Sequence, residues 1–90
     1  MLKILEELIS LVRERKKNYP DSSYTKKLLN DKNLSTDKVK EEITELIEAV
    51  EKNTNKIHEA ADVLYHLVVY LEANEVKIED VMEELNKRKK

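Results

Sequence analysis

Apolar residues recur along this chain at intervals of three and four, the period of an amphipathic helix. Leu5, Leu8, Ile9 and Val12 share one face of a first helix, about residues 2–17. Arg13, Arg15, Lys16 and Lys17 close it, cations that suit the negative end of a helix dipole. The stretch NYPD then stops it at Pro20. SYTKKLLN reads as a short helix or turn and DKNLS as a polar loop. Ser35, Thr36 and Asp37 offer caps for a helix over about 37–52, whose apolar arc is Val39, Ile43, Leu46, Ile47 and Val50. In the turn NTN, Asn takes the left-handed positions that Gly usually fills. A further helix runs over about 56–73 and ends at Asn74. The last, about 78–88, carries Ile78, Val81, Met82 and Leu85 at helical spacing.

Composition sharpens this picture. The 90 residues are 40% hydrophobic and 40% charged, with no Gly, Trp or Phe and one Pro. With so little turn chemistry the expected fold is all-α: one domain over 1–90, a bundle of four main helices plus a short helix in the N-terminal half. A core of this size only just suffices. Residues 57–71 are apolar nearly all round and should be buried nearly all round, so a homodimer or higher homo-oligomer is expected to complete the core. The net charge of −2 argues against a nucleic-acid binder. The absence of cysteine excludes disulfides and thiolate metal sites and fits a reducing cytoplasm. Glu6 and Glu7 interrupt the first apolar pattern, and the uncharged run 63–71 is too short to cross a bilayer, so neither a targeting segment nor a membrane partner is expected.

The acids carry the chemistry. At about 100° per residue, Glu59, Asp62 and His66 fall on one stripe of their helix. Asp62 lies between apolar residues, and no Lys or Arg occurs from 57 to 76. A buried carboxylate without a partner must be protonated, paired or bound to a metal. On the preceding helix Glu42 and Glu45 lie at the edge of the apolar arc, with Glu41 and Glu48 turned further toward solvent. A short turn makes the two helices antiparallel neighbours, which brings Glu42 and Glu45 opposite Glu59 and Asp62. Four convergent carboxylates call for cations, and oxygen-only ligation selects Mg²⁺, or Mn²⁺, over zinc. An ordinary solvated face accounts well for the first helix alone; it accounts poorly for Glu59 and Asp62 among valines. His66 suits a group that orients a ligand better than a ligand.

E-E-x-x-E at Glu41, Glu42 and Glu45, followed by E-x-x-D at Glu59 and Asp62, resembles the all-α, MazG-like nucleotide pyrophosphohydrolases. RKKNYPDSSYTKKLL, DKVKEEITELIEAV, EAADVLYHLVVYL and the terminal LNKR resemble, more closely, the phosphoribosyl-ATP pyrophosphohydrolases of histidine biosynthesis, over nearly the whole chain. Ser23, Tyr24 and Thr25, with Asp62, Tyr65 and His66, favour this branch. Lys40 stands where that family usually has Gly. The resemblance implies Mg²⁺-dependent opening of the α–β phosphoanhydride of phosphoribosyl-ATP, yielding phosphoribosyl-AMP and pyrophosphate. It implies Glu42, Glu45, Glu59 and Asp62 as metal ligands and Glu41 and Glu42 as the catalytic carboxylates. A chain without Gly has no Gly-rich phosphate loop, so Lys38, one turn before Glu42, and Tyr24 with Lys16 and Lys26 around it, are the candidates for holding the nucleotide. A MazG-like enzyme acting on other nucleoside triphosphates and a non-catalytic helical oligomer are the alternative readings.

Overall fold

The computed structural model describes residues 2–17 and 23–89. Within them the chain forms α1 (Lys3–Lys17), α2 (Tyr24–Asn30), α3 (Lys32–Lys52), α4 (Lys56–Ala73) and α5 (Ile78–Arg88), with no strand among the described residues. The all-α expectation holds. The stop at NYPD falls outside the described residues.

One boundary differs from the sequence reading. DKNLS is not a loop, because Asp31 ends α2 and starts α3 at once. Its backbone N–H reaches the Leu28 carbonyl, and its side chain accepts from the Leu34 N–H at 3.0 Å. A capping Asp this far upstream adds more than a turn to α3. Ser35 and Thr36 are therefore not caps: Ser35 is fully buried, and the Thr36 hydroxyl donates back to the Lys32 carbonyl. α4 ends where expected, with Asn74 as its C-cap; the left-handed residue that follows is Glu75 (φ 58°), and the Asn74 side chain donates to the Tyr70 carbonyl. The NTN turn does use Asn as expected, with Asn53 at φ 57° and Asn55 at φ 45°. The tight reversal lays α4 antiparallel along α3, and this pair makes the most extensive helix contact of the fold.

The apolar core lies where α1 and α2 meet the C-terminal half of α4: Val12, Leu28, Leu29, Val68, Val69 and Ala73, with Leu5, Leu8, Ile9, Leu34 and Tyr65 against them. Arg13 ties α1 to both sides of the α4–α5 turn. Its Nε donates to buried Glu72 at 3.1 Å, and its terminal nitrogens grip Glu79 at 2.7 and 2.8 Å. This pairing raises the Arg13 pKa and holds the Glu79 carboxyl down to about 2.

The expected apolar arc of α3 splits. Ser35, Val39, Glu42, Leu46 and Ala49, spaced by four and three, form the more buried stripe, whereas Ile43, Ile47 and Val50 are about half exposed. Small Ser35 and Ala49 favour the first stripe as the packed face, and an apolar arc wider than one helix contact leaves its remainder outside. α4 is likewise not buried all round within one chain: Leu64 is 50% exposed, Leu67 39% and Ile57 89%. Glu42 thus sits on the packed stripe of α3 rather than at the edge of an arc.

Candidate active site

The acids gather beside the α3–α4 turn, at the opposite end of α4 from the apolar core. Carboxylate oxygens of Glu42, Glu45 and Glu59 lie within 4.8 Å of one another. A second group at the same spacing joins Glu59 and Asp62 to His58, whose Nε2 is 3.3 Å from an Asp62 oxygen. Glu59 belongs to both groups. The antiparallel hairpin places the C-terminal half of α3 beside the first two turns of α4, as the spacing of the acids required.

Glu42 is the strained member. Its Oε2 is buried and has no hydrogen-bond partner. Burial pushes its pKa up to about 7, assisted by the adjacent Glu45 carboxylate and by the charges of Asp62 and Glu59. Glu59 is shifted in the same direction, by desolvation first and then by Glu45 and Asp62. Desolvation among neighbouring acids disfavours the charged carboxylates, a cost that a bound cation would relieve. The donor set is all oxygen at Glu42, Glu45 and Glu59, which suits a hard divalent cation, and an orphaned buried oxygen facing such neighbours fits one.

The other expected residues divide into two sets. Lys38 stands by the acids, its ammonium 3.2 Å from Glu41, and it acts electrostatically on Tyr24 and Glu42. Tyr24, the first residue of α2 after the Ser23 cap, bonds through its hydroxyl to His66 Nε2 at 3.2 Å. Beside it the hydroxyls of Thr25 and Tyr65 meet. Lys16 and Lys26 are not brought to the carboxylates. The Lys16 ammonium donates to the Glu72 carbonyl and the buried Lys26 to the Lys16 carbonyl. Glu72 lies ten residues beyond Asp62, about 15 Å along α4. Lys16 lines a separate cavity of about 730 Å³ with Arg13, Glu72, Lys77 and Glu79. Glu41 and Glu48 are exposed, as their helical phase indicated, and so is Lys40, which leaves the packed stripe of α3 undisturbed.

His58 was missed by sequence reasoning. The signal was present in its i,i+4 spacing to Asp62, which places the two side chains together on a helix surface.

The family described as phosphoribosyl-ATP pyrophosphohydrolase matches residues 5–89. The chain belongs to that family. A phosphoribosyl-ATP pyrophosphatase of Clostridium novyi (strain NT) is 48% identical over 93 residues, spanning 97% of this chain and 82% of the relative. The phosphoribosyl-ATP pyrophosphatase of Haloarcula marismortui is 38% identical over 96% of this chain and 93% of its own length. A histidine biosynthesis trifunctional protein of Kluyveromyces lactis is 48% identical over 88% of this chain, which there makes up 10% of the whole. Among the described residues no helix is long and apolar enough to cross a membrane.

Proposed function

We propose that this chain hydrolyses phosphoribosyl-ATP to phosphoribosyl-AMP and pyrophosphate, with Mg²⁺ held by Glu42, Glu45, Glu59 and Asp62. The observation that carries this reading is the meeting of Glu42, Glu45 and Glu59 within 4.8 Å, with one Glu42 oxygen buried and unpartnered, in a chain of this family. One water adds across the α–β phosphoanhydride, and pyrophosphate leaves. When bound, the divalent cations supply positive charge against the triphosphate and lower the pKa of the attacking water. The four carboxylates fix where that charge sits, before substrate arrives. Glu41, outside both ligand groups, is the carboxylate left to accept the proton of the water. Its contact with Lys38 also holds the ammonium where it can reach a phosphate oxygen. Lys16 and Lys26, engaged elsewhere, have no part in this reading.

A panel of phosphoribosyl-ATP, ATP and dCTP with pyrophosphate detection, with and without Mg²⁺, tests it. The expected result is Mg²⁺-dependent release, far faster from phosphoribosyl-ATP. Equal rates on all three would move the activity to a broader nucleotide pyrophosphatase, and no release from any would leave a helical scaffold.

The same reading includes a homo-oligomer, supported by the half-exposed residues Ile43, Ile47, Val50, Leu64 and Leu67 along the α3–α4 pair. Scattered apolar residues are ordinary on a surface, but a run along two adjacent helices is the pattern of an interface. Ile47→Glu is expected to shift the species in sedimentation equilibrium from dimer or larger to monomer. A wild type already monomeric at micromolar concentration would remove the oligomer from this account.

A further inference from the structure

The directions of the hydrogen bonds around Tyr24 are set by His66. Nδ1 of His66 lies 2.9 Å from the backbone carbonyl oxygen of Asp62, one turn earlier on α4. A carbonyl oxygen only accepts, so Nδ1 carries the proton. In the neutral ring Nε2 is then a bare lone pair, and the Tyr24 hydroxyl, 3.2 Å away, donates to it. The single proton of the phenol is committed to that bond. Toward the carboxylates and the open side, the Tyr24 oxygen can therefore only accept.

The surroundings hold this arrangement in place. The Tyr24 ring stands edge-on to His66, with centroids 6.0 Å apart. His66 is itself edge-on to Tyr65 at 4.9 Å, and Tyr65 bonds to Thr25, the neighbour of Tyr24. His66 is buried, whereas Tyr24 is 46% exposed. The phenol feels Lys38 and, less strongly, Tyr65, Glu42 and Glu41, so it borders the acids; burial raises its pKa and keeps it protonated. The ammonium of Lys38 is hydrogen-bonded to Glu41.

We infer that Tyr24 reads a neutral hydrogen-bond donor on the nucleoside part of the substrate, a sugar hydroxyl or a base N–H, and that His66 is the positioning residue that sets this polarity. Phosphate oxygens offer no proton at neutral pH, so they do not complement an oxygen that only accepts. Lys38, which only donates, complements them. The inference rests on the reaction proposed above and gives Tyr24 the task of distinguishing one nucleotide from another.

Steady-state kinetics at pH 8 with Mg²⁺ test it on Tyr24→Phe, His66→Leu and His66→Gln. Tyr24→Phe keeps the ring and removes the acceptor; KM for phosphoribosyl-ATP is expected to rise about tenfold, the loss of one neutral hydrogen bond, with kcat little changed. His66→Leu releases the phenol proton to turn outward and should raise KM similarly, with no further rise in the double variant with Tyr24→Phe. His66→Gln, whose amide oxygen can accept where Nε2 did, should restore most of the affinity. A plain packing role for His66 would not show that rescue. Competitive inhibition by ATP separates the two sources: a Tyr24→Phe penalty shared by ATP places the donor on the adenosine, and a penalty confined to phosphoribosyl-ATP places it on the added sugar. A fall in kcat at constant KM, an unchanged KM in Tyr24→Phe, or a lower KM in His66→Leu would overturn the inference. The ¹⁵N resonances of His66 report the tautomer without any turnover. A ring protonated at Nε2 would overturn the polarity even in an active enzyme, and one protonated at Nδ1 would uphold it even if phosphoribosyl-ATP proved not to be the substrate.

Discussion

Glu59→Gln is expected to reduce kcat/KM for phosphoribosyl-ATP by on the order of 10³-fold while the protein stays folded. Glu59 is the one residue common to the Glu42–Glu45 group and the His58–Asp62 group, so its loss removes charge from both. The substitution is nearly isosteric, and the side chain lies near the surface end of the helix pair, so the melting temperature should hold or rise. Glu45→Gln should follow the same pattern. Glu48→Gln, on the exposed side of α3 and in neither group, should stay within about twofold of wild type. Steady-state pyrophosphate release on the three variants checks this. Equal losses at all three positions would mean that overall negative charge, rather than placed ligands, supports the activity.

The second large effect is on stability. Glu42 is held near pKa 7 in the metal-free fold against an ordinary 4.5, so the folded state binds the proton more tightly than the unfolded one. The stability this lends is fully present below about pH 4.5 and is lost as pH rises through 7. Glu59, shifted in the same direction, adds to that loss. Glu79 works in the opposite sense: its pKa of about 2 lends stability above pH 4.5 that disappears on acidification. Metal-free protein should therefore melt highest in mildly acidic buffer and several degrees lower at pH 8. Saturating Mg²⁺ should reverse that decline, because a cation that displaces the Glu42 proton binds more tightly as pH rises. At a hundredfold excess over Kd the gain is about 2.7 kcal/mol, on the order of 10 °C for a domain this small. Glu42→Gln should flatten the alkaline decline and abolish the Mg²⁺ shift. Thermal melts across pH 5–8, with and without Mg²⁺, measure both, and a pH-independent Mg²⁺ effect would show that Glu42 is not the residue displaced.

Much of this was legible in the chain. Helical period, the Asn-rich turn and the i,i+3 spacings of Glu42–Glu45 and Glu59–Asp62 suffice to place the acids on an antiparallel pair. What could not be read was rotation. Val39, Ile43, Leu46, Ile47 and Val50 form one arc on a helical wheel, and nothing in the wheel tells which edge faces α4. The choice falls to residues that look unremarkable in sequence, Ser35 and Ala49, whose small side chains favour close approach. Once that edge is taken, Glu42 follows it inward. Asp31 was hidden for a related reason: several residues nearby could cap α3, and tertiary packing of Leu34 and Ser35 favoured the earliest. Lys16 and Lys26 suited phosphate by charge alone, but their carbonyl partners lie 56 and 10 residues away in sequence, beyond the reach of local spacing.

The attachment of α5 has a consequence for motion. None of its residues is buried, and its firm link to the body is the grip of Arg13 on Glu79. An exposed ion pair is screened by salt within about 10 Å at 0.1 M, whereas the packing of α2 and α4 is not. Among the described helices α5 is accordingly the one expected to open at least cost, with an exchange with solvent that should quicken with ionic strength. Because the carboxylates belong to the α3–α4 pair at the far end of α4, that opening leaves them where they are: the molecule can loosen at its C-terminal end without loosening its chemistry.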